Sequence, residues 1–296
     1  MGMRNTSSTL QSMNSSRASG ILSHELRKCF TNPWFTISLL IGSLLAIVSA
    51  VEAMNYVTNG PGPDGHYVSC VGSYANWMVV NCGQGPTPFI FFYVVPLLSV
   101  MPFAWSYRTE RLSGYEMQLA VRASYGSRFT AKAAATFLSG FAAIAIPLIL
   151  NFVIVSCALP ATQPIIEEEI TIGIFTDCLF SNLFYQIPLL YVVAYTVLDG
   201  VIAGIWSVFV LCLSCVLKNR VSLMVIPYLC LLGWQYLSNM VISLSGRVFF
   251  SLNILNAMQG TYYTAATNPV ALLMQLLVLV GASFGFAWWA RTQDVM

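Results

Sequence analysis

The sequence predicts an all-α polytopic membrane protein, with six transmembrane helices, both termini cytoplasmic and an N-terminal interfacial helix. Three observations carry that prediction. Of the 296 residues 57% are hydrophobic and 8% charged, and mean hydropathy is +0.73; soluble domains carry roughly 25% charged residues. Six apolar stretches reach the length of about 20 residues that a helix needs to cross a ~30 Å hydrocarbon core. Finally, of the 13 Lys and Arg residues, all but Arg247 fall in gaps on one side of that arrangement, the asymmetry that marks the cytoplasmic side.

Taken in chain order, residues 1–19 are rich in Ser, Asn and Thr and hold no apolar run, so a disordered tail is expected there and not a secretory signal. From 20 to 34, Leu22, Leu26, Cys29, Phe30 and Trp34 recur at helical spacing, with Glu25 early and Arg27 and Lys28 later, as the helix dipole prefers. This predicts a short amphipathic helix in the inner interface, ended by Asn32-Pro33. The transmembrane domain then runs from 35 to 290, with spans expected near Phe35–Met54, Pro88–Tyr107, Ala131–Ala158, Leu189–Leu217, Val221–Ile242 and Pro269–Ala290. Inner segments fall at 1–34, 108–130, 218–220 and the tail 291–296, and outer segments at 55–87, 159–188 and 243–268. Arg4, Arg17, Arg27, Lys28, Arg108, Arg111, Arg122, Arg128, Lys132, Lys218, Arg220 and Arg291 thus face inside, and the acidic run Glu167–Glu169 faces outside. The spacings Gly200–Gly204 and Gly281–Gly285 allow close approach of helices.

The chemistry inventory disfavours catalysis in this chain. Its two histidines, His24 and His66, fall on opposite sides, and there is no phosphate-binding G-x-x-x-x-G-K-[ST] loop, G-x-S-x-G elbow or H-E-x-x-H helix. No metal site, cofactor or nucleic-acid partner is expected, and membrane lipid is the expected surrounding. Cys70 and Cys82 share the first outer segment and Cys157 and Cys178 flank the second, on a side expected to be oxidising. A Cys70–Cys82 bridge would close a short loop, worth ~3 kcal/mol in the chain-entropy description, and Cys157–Cys178 would clamp spans three and four. Four cysteines allow three pairings, so connectivity stays open. Asp199 is the one carboxylate deep in a span; at about 2.5–3.5 kcal/mol for insertion it must face protein or a cavity. It is a candidate for a substrate pathway, or for a helix-to-helix hydrogen bond beside Gly200.

The inner segment from Tyr107 to Lys132 reads YRTERLSGYEMQLAVRASYGSRFTAK. In this segment, with the helix HELRKCFTNPWF before span one and the basic turn in LSCVLKNRVSLMVIP, the chain resembles the permease subunits of ABC-2 type transporters. The matching positions are Glu110, Gly114, Arg128 and Lys132. The resemblance implies the transmembrane subunit of an ATP-driven exporter in a plasma membrane, of bacterial origin. Two six-span permeases, a second copy or a related chain, would pair over separate ABC ATPase subunits that hold ATP and Mg. It also implies a coupling helix within 108–130, and Leu112, Tyr115 and Leu119 share one face of such a helix. Between spans five and six it implies short re-entrant helices, in a run rich in Val248, Phe249, Phe250, Leu252, Ile254 and Leu255 that needs shelter. Two other functions compete: an ion-coupled secondary transporter using Asp199, though no internal repeat is apparent, and a non-transporting scaffold or sensor.

Overall fold

The computed structural model describes residues 20–59, 71–82, 85–112, 125–217, 219–245, 253–261 and 268–293, and its regular elements are helical. Helix α1 covers 20–30. It is followed by α2 (Pro33–Asn59), α3 (Thr87–Val100), α4 (Ser106–Leu112) and α5 (Tyr125–Ala158). A 3₁₀ turn (Ile166–Glu168) leads to α6 (Glu169–Ile172), α7 (Ser181–Gln186) and α8 (Pro188–Leu213), and the chain ends in α9 (Arg220–Ser245), α10 (Ile254–Ala257) and α11 (Pro269–Gln293). Five stretches are long and apolar enough to cross a membrane: Pro33–Asn59, Arg128–Ala158, Pro188–Leu213, Val221–Val241 and Pro269–Trp288. The chain is a multi-pass helical membrane protein.

The second expected span departs from prediction. Instead of one helix over 88–107, α3 holds 14 residues, about 21 Å at 1.5 Å per residue, and a turn at 101–105 separates it from α4. Pro102 accounts for the break, because it has no N–H to offer the Leu98 carbonyl and its ring crowds that turn. The vacated carbonyl is filled from another helix, Ser38 of α2 donating to Leu98 O at 2.7 Å. The Pro102 carbonyl in turn accepts from the Asn32 side chain at 2.8 Å.

The first break falls where the sequence placed it. Asn32 closes α1 and precedes Pro33, the first residue of α2, a position whose missing N–H costs no helical bond. Helix α1 divides its side chains between the bundle and its surroundings. Glu25 and Cys29 are its buried pair, with Leu22 and Leu26 half-buried, while Phe30 and Trp34 are exposed. Phe30 stacks edge-on against Phe35, and Trp34 against Trp105, forming an aromatic patch outside the bundle.

Helix α8 is the axis of the molecule, packing against α3, α5, α7, α9 and α11. Its approach to α5 depends on missing side chains: a Cβ on Gly200 would come within 2.6 Å of the Phe141 ring, and one on Gly204 within 2.7 Å of Phe137. The Gly281–Gly285 spacing of α11 serves no such contact among the described residues. The segments assigned outside meet at one end of the bundle, where Ser73 N donates to Pro160 O and Gly260 N to Val79 O. Helix α1, α4 and the start of α5 meet through Lys28, Glu110 and Lys132. These groups define the outer and inner ends below.

Candidate functional site

At the inner end Glu110 of α4 is buried and bonded on both oxygens, with Lys28 of α1 on Oε1 and Lys132 of α5 on Oε2. Lys132 is itself buried, its ammonium 5.8 Å and 5.9 Å from the ring centroids of Phe103 and Tyr107. Burial would raise the Glu110 carboxyl, but the charge and hydrogen bond of Lys132, then those of Lys28, outweigh it and hold the group below the usual glutamate range. Beside this junction Cys29 packs on Phe103 and Ala135, its thiol directed at Ala135 O at 3.7 Å. Burial pushes that thiol up to about 11, which keeps it unreactive.

The expected coupling residues are only partly described. Of the positions that carry the resemblance, Glu110 is an interior group that joins three elements, and Arg128 lies half-buried in the first turns of α5. Leu112 closes α4. Gly114, Tyr115 and Leu119 lie outside the described residues, and the coupling helix with them. The lysine partners of Glu110 went unread in the sequence. Their signal was depth: Lys28 and Lys132 are both placed at the inner boundary, next to a segment containing a carboxylate.

In the interior, Tyr191, Tyr195, Asp199, Ile202, Ala203 and Trp206 form one stripe along α8, at spacings of three or four residues, and all are buried. Asp199 is fully buried and neither oxygen has a hydrogen-bond partner among the described residues. Toward the outer end the stripe becomes aromatic, with ring centroids 4.7 Å apart for Tyr191 and Tyr195 and 4.9 Å for Phe184 and Tyr191. The Tyr191 hydroxyl is also unbonded among the described residues, while Tyr195 Oη reaches Leu179 O at 3.4 Å. Toward the inner end Trp206 Nε1 donates to Pro96 O at 3.2 Å, and Ser207 Oγ to Ser99 O at 2.7 Å, joining α8 to α3.

Over the outer end lies a plug that sequence reasoning missed. Residues 73–82, part of the expected outer segment 55–87, are mostly buried. Trp77 Nε1 donates to Leu148 O at 3.2 Å, and Met78 N donates at 3.0 Å to Asn151 Oδ1. Asn151, fully buried in α5, donates in turn to Ala46 O of α2 at 2.8 Å. One side chain therefore ties α2, α5 and the plug. Of the apolar run between spans five and six, Val248, Phe249, Phe250 and Leu252 lie outside the described residues; Ile254 and Leu255 are buried, with Ala257 and Met258, and Gly260 N donates to Val79 O of the plug at 2.9 Å. Glu52, at the outer end of α2, accepts from Thr87 Oγ1 at 2.6 Å and Thr87 N at 3.3 Å, which satisfies the first turn of α3.

The cysteine expectation is corrected here. Cys157 and Cys178 are free thiols, the first exposed in the last turn of α5 and the second half-buried near Tyr191 and Tyr195. Burial raises the Cys178 thiol. Cys82 is buried, its thiol directed at Thr171 O at 3.1 Å, while Cys70, its expected partner, lies outside the described residues. Comparison of the chain with protein-family models, curated proteins and solved structures gives no match.

Proposed function

We propose that this chain is the membrane-spanning permease of an ATP-driven exporter of the ABC-2 type, working as a dimer with separate ATPase subunits in a plasma membrane. The observation that carries this reading is the Glu110 junction. Its carboxylate joins the segment following α3 to both α1 and α5, so a push received by that segment reaches a helix that runs the depth of the bundle. A buried, charge-assisted contact of this kind moves as a unit, because separating it strands charge in a low dielectric. ATP and Mg belong to the partner, and this chain supplies the path and the lever. The plug over α8 serves as the outer closure.

The test is reconstitution with candidate ATPase subunits. The wild-type chain is expected to bind one and stimulate its turnover, and Leu112→Ala with Tyr115→Ala to insert normally but uncouple hydrolysis. Absence of any ATPase partner refutes the exporter reading. Asp199 favours a second reading, an ion-coupled transporter, since a mid-helix carboxyl without a partner among the described residues is the group such a mechanism uses. That reading requires ion-gradient-driven transport by the chain alone, without ATP.

A further inference from the structure

We propose that the chain binds a lipophilic cation, whose apolar body enters a lateral groove between α9 and α11 and whose positive charge is held by Asp199. The groove has a volume of ≈ 620 Å³ and is lined by Leu231, Trp234, Ile254, Met274 and Val278 among others. That size lies within the roughly 300–1,000 Å³ of small-molecule sites. Trp234, Met274 and Val278 are more than half exposed, on helices apolar enough to cross a membrane, so the groove opens toward the bilayer and selects ligands that partition there.

A second, smaller space lies behind it. This cavity, ≈ 10 Å³, is lined by Pro96, Ile202, Ala203 and Trp206, and by the same Leu231 and Ile254 that line the groove. Two side chains thus form the wall between the lateral groove and the face of α8. Ile202 and Ala203 are three and four residues beyond Asp199, one turn or about 5 Å along the helix. The carboxyl is fully buried and unbonded among the described residues, so an arriving cation would be its first partner. A buried carboxyl without a counter-charge holds its proton, and a ligand cation that pairs with it takes the place of that proton, which leaves to water. The rings of Tyr195 and Tyr191 continue the stripe outward and Trp206 continues it inward. An inorganic divalent ion would need six or more oxygen ligands, and Asp199 brings two. Leu231 and Ile254 are the side chains that would move first for the charge to pass from the groove toward α8. Binding stands independently of the exporter reading, whereas export of the bound cation rests on it.

The test uses the purified full-length chain in detergent without any ATPase, with tetraphenylphosphonium as the probe in equilibrium dialysis. One saturable site per chain is expected. Asp199→Asn should raise Kd by about tenfold or more, the loss of one charge pair, and Asp199→Glu should stay within about threefold of wild type. Uncharged triphenylphosphine oxide should bind wild type and Asp199→Asn alike. Absence of saturable binding, or equal tetraphenylphosphonium affinity in a folded Asp199→Asn chain, overturns the proposal. If Asp199→Asn does not fold, wild-type Asp199 is labelled with dicyclohexylcarbodiimide and read by mass spectrometry. Tetraphenylphosphonium is expected to slow that labelling, and an unchanged rate overturns the proposal. Failure of ATPase association would leave these results untouched, so the two readings fail separately.

Discussion

Replacing Glu110 by leucine tests the inner junction with a magnitude that follows from its burial. The Lys132 side chain is 5% exposed and that of Lys28 39%, so loss of the carboxylate affects the two lysines unequally. Stranding a buried charge costs about 3–5 kcal/mol, and Lys132 bears nearly all of it. Lys28 can turn to water, so its lost pair adds no more than about 1 kcal/mol. The rings of Phe103 and Tyr107 stay beside the Lys132 ammonium in wild type and variant alike, so their attraction cancels in the difference. Glu110→Leu should therefore lose about 3–6 kcal/mol of stability. Glu110→Leu with Lys132→Met removes both charges and should lose less than the single variant, a coupling that only a buried pair produces. Denaturation midpoints in detergent, checked by size exclusion, measure both. A single variant as stable as wild type, or a double variant that loses the sum of the singles, would refute the reasoning.

The same junction sets a pH dependence whose sign follows from proton binding. Glu110 titrates lower when folded than unfolded, so over the interval between those values the unfolded chain binds more protons and stability rises with pH. The contribution is complete above the ordinary glutamate value of about 4.3 and is lost as pH falls through the lower folded value. Glu110→Gln should flatten that acid limb of the stability profile, and an identical limb in wild type and variant would contradict it.

Two further predictions concern the outer end. Asn151→Leu strands Met78 N, at about 1–3 kcal/mol for a buried group left unbonded, while Ala46 O keeps its helical partner within α2. The variant should speed amide exchange across 71–82; unchanged exchange there would show that Asn151 does not hold the plug. Without reductant, a membrane-impermeant maleimide should label Cys157 from outside intact cells and leave Cys230, exposed within α9, unlabelled. A disulfide-linked Cys157–Cys178 peptide would refute the free-thiol assignment, and labelling of Cys157 only after lysis would reverse the orientation.

Long apolar runs made the five crossing helices legible, because hydropathy is a property of consecutive residues and needs no knowledge of neighbours. The division of α3 from α4 was not legible in the same way. Pro102 signals a break, but prolines are tolerated within lipid-embedded helices, and the Leu98 carbonyl it vacates is met by Ser38 from 60 residues away. Periodicity marked α1 as an interfacial helix but not how its residues divide: Phe30 and Trp34 face outward, as rings at a membrane interface gain by doing, while Glu25 and Cys29 turn inward. Asn151 was unreadable because a single amide in an apolar run carries no sign of which two backbone groups it will satisfy. Asp199 stood out from sequence because one carboxylate deep in a span has no ordinary explanation. The wall formed by Leu231 and Ile254 did not, since two aliphatic residues acquire meaning only from the spaces on either side.

The two ends of the bundle are held by different forces. The outer plug is held mainly by apolar burial, with Trp77, Met78, Val79 and Val80 in the core at about 1.5–3 kcal/mol for each large side chain fully buried. It is positioned by the neutral hydrogen bonds of Trp77 to Leu148, Met78 to Asn151 and Gly260 to Val79. The inner junction rests on charge in a buried setting, where separating the partners strands charge in a low dielectric. Asp199 lies between the two, on the helix that packs against α5 along its length. A cation bound there could favour the open or the closed form only to the extent that it binds one of them more tightly.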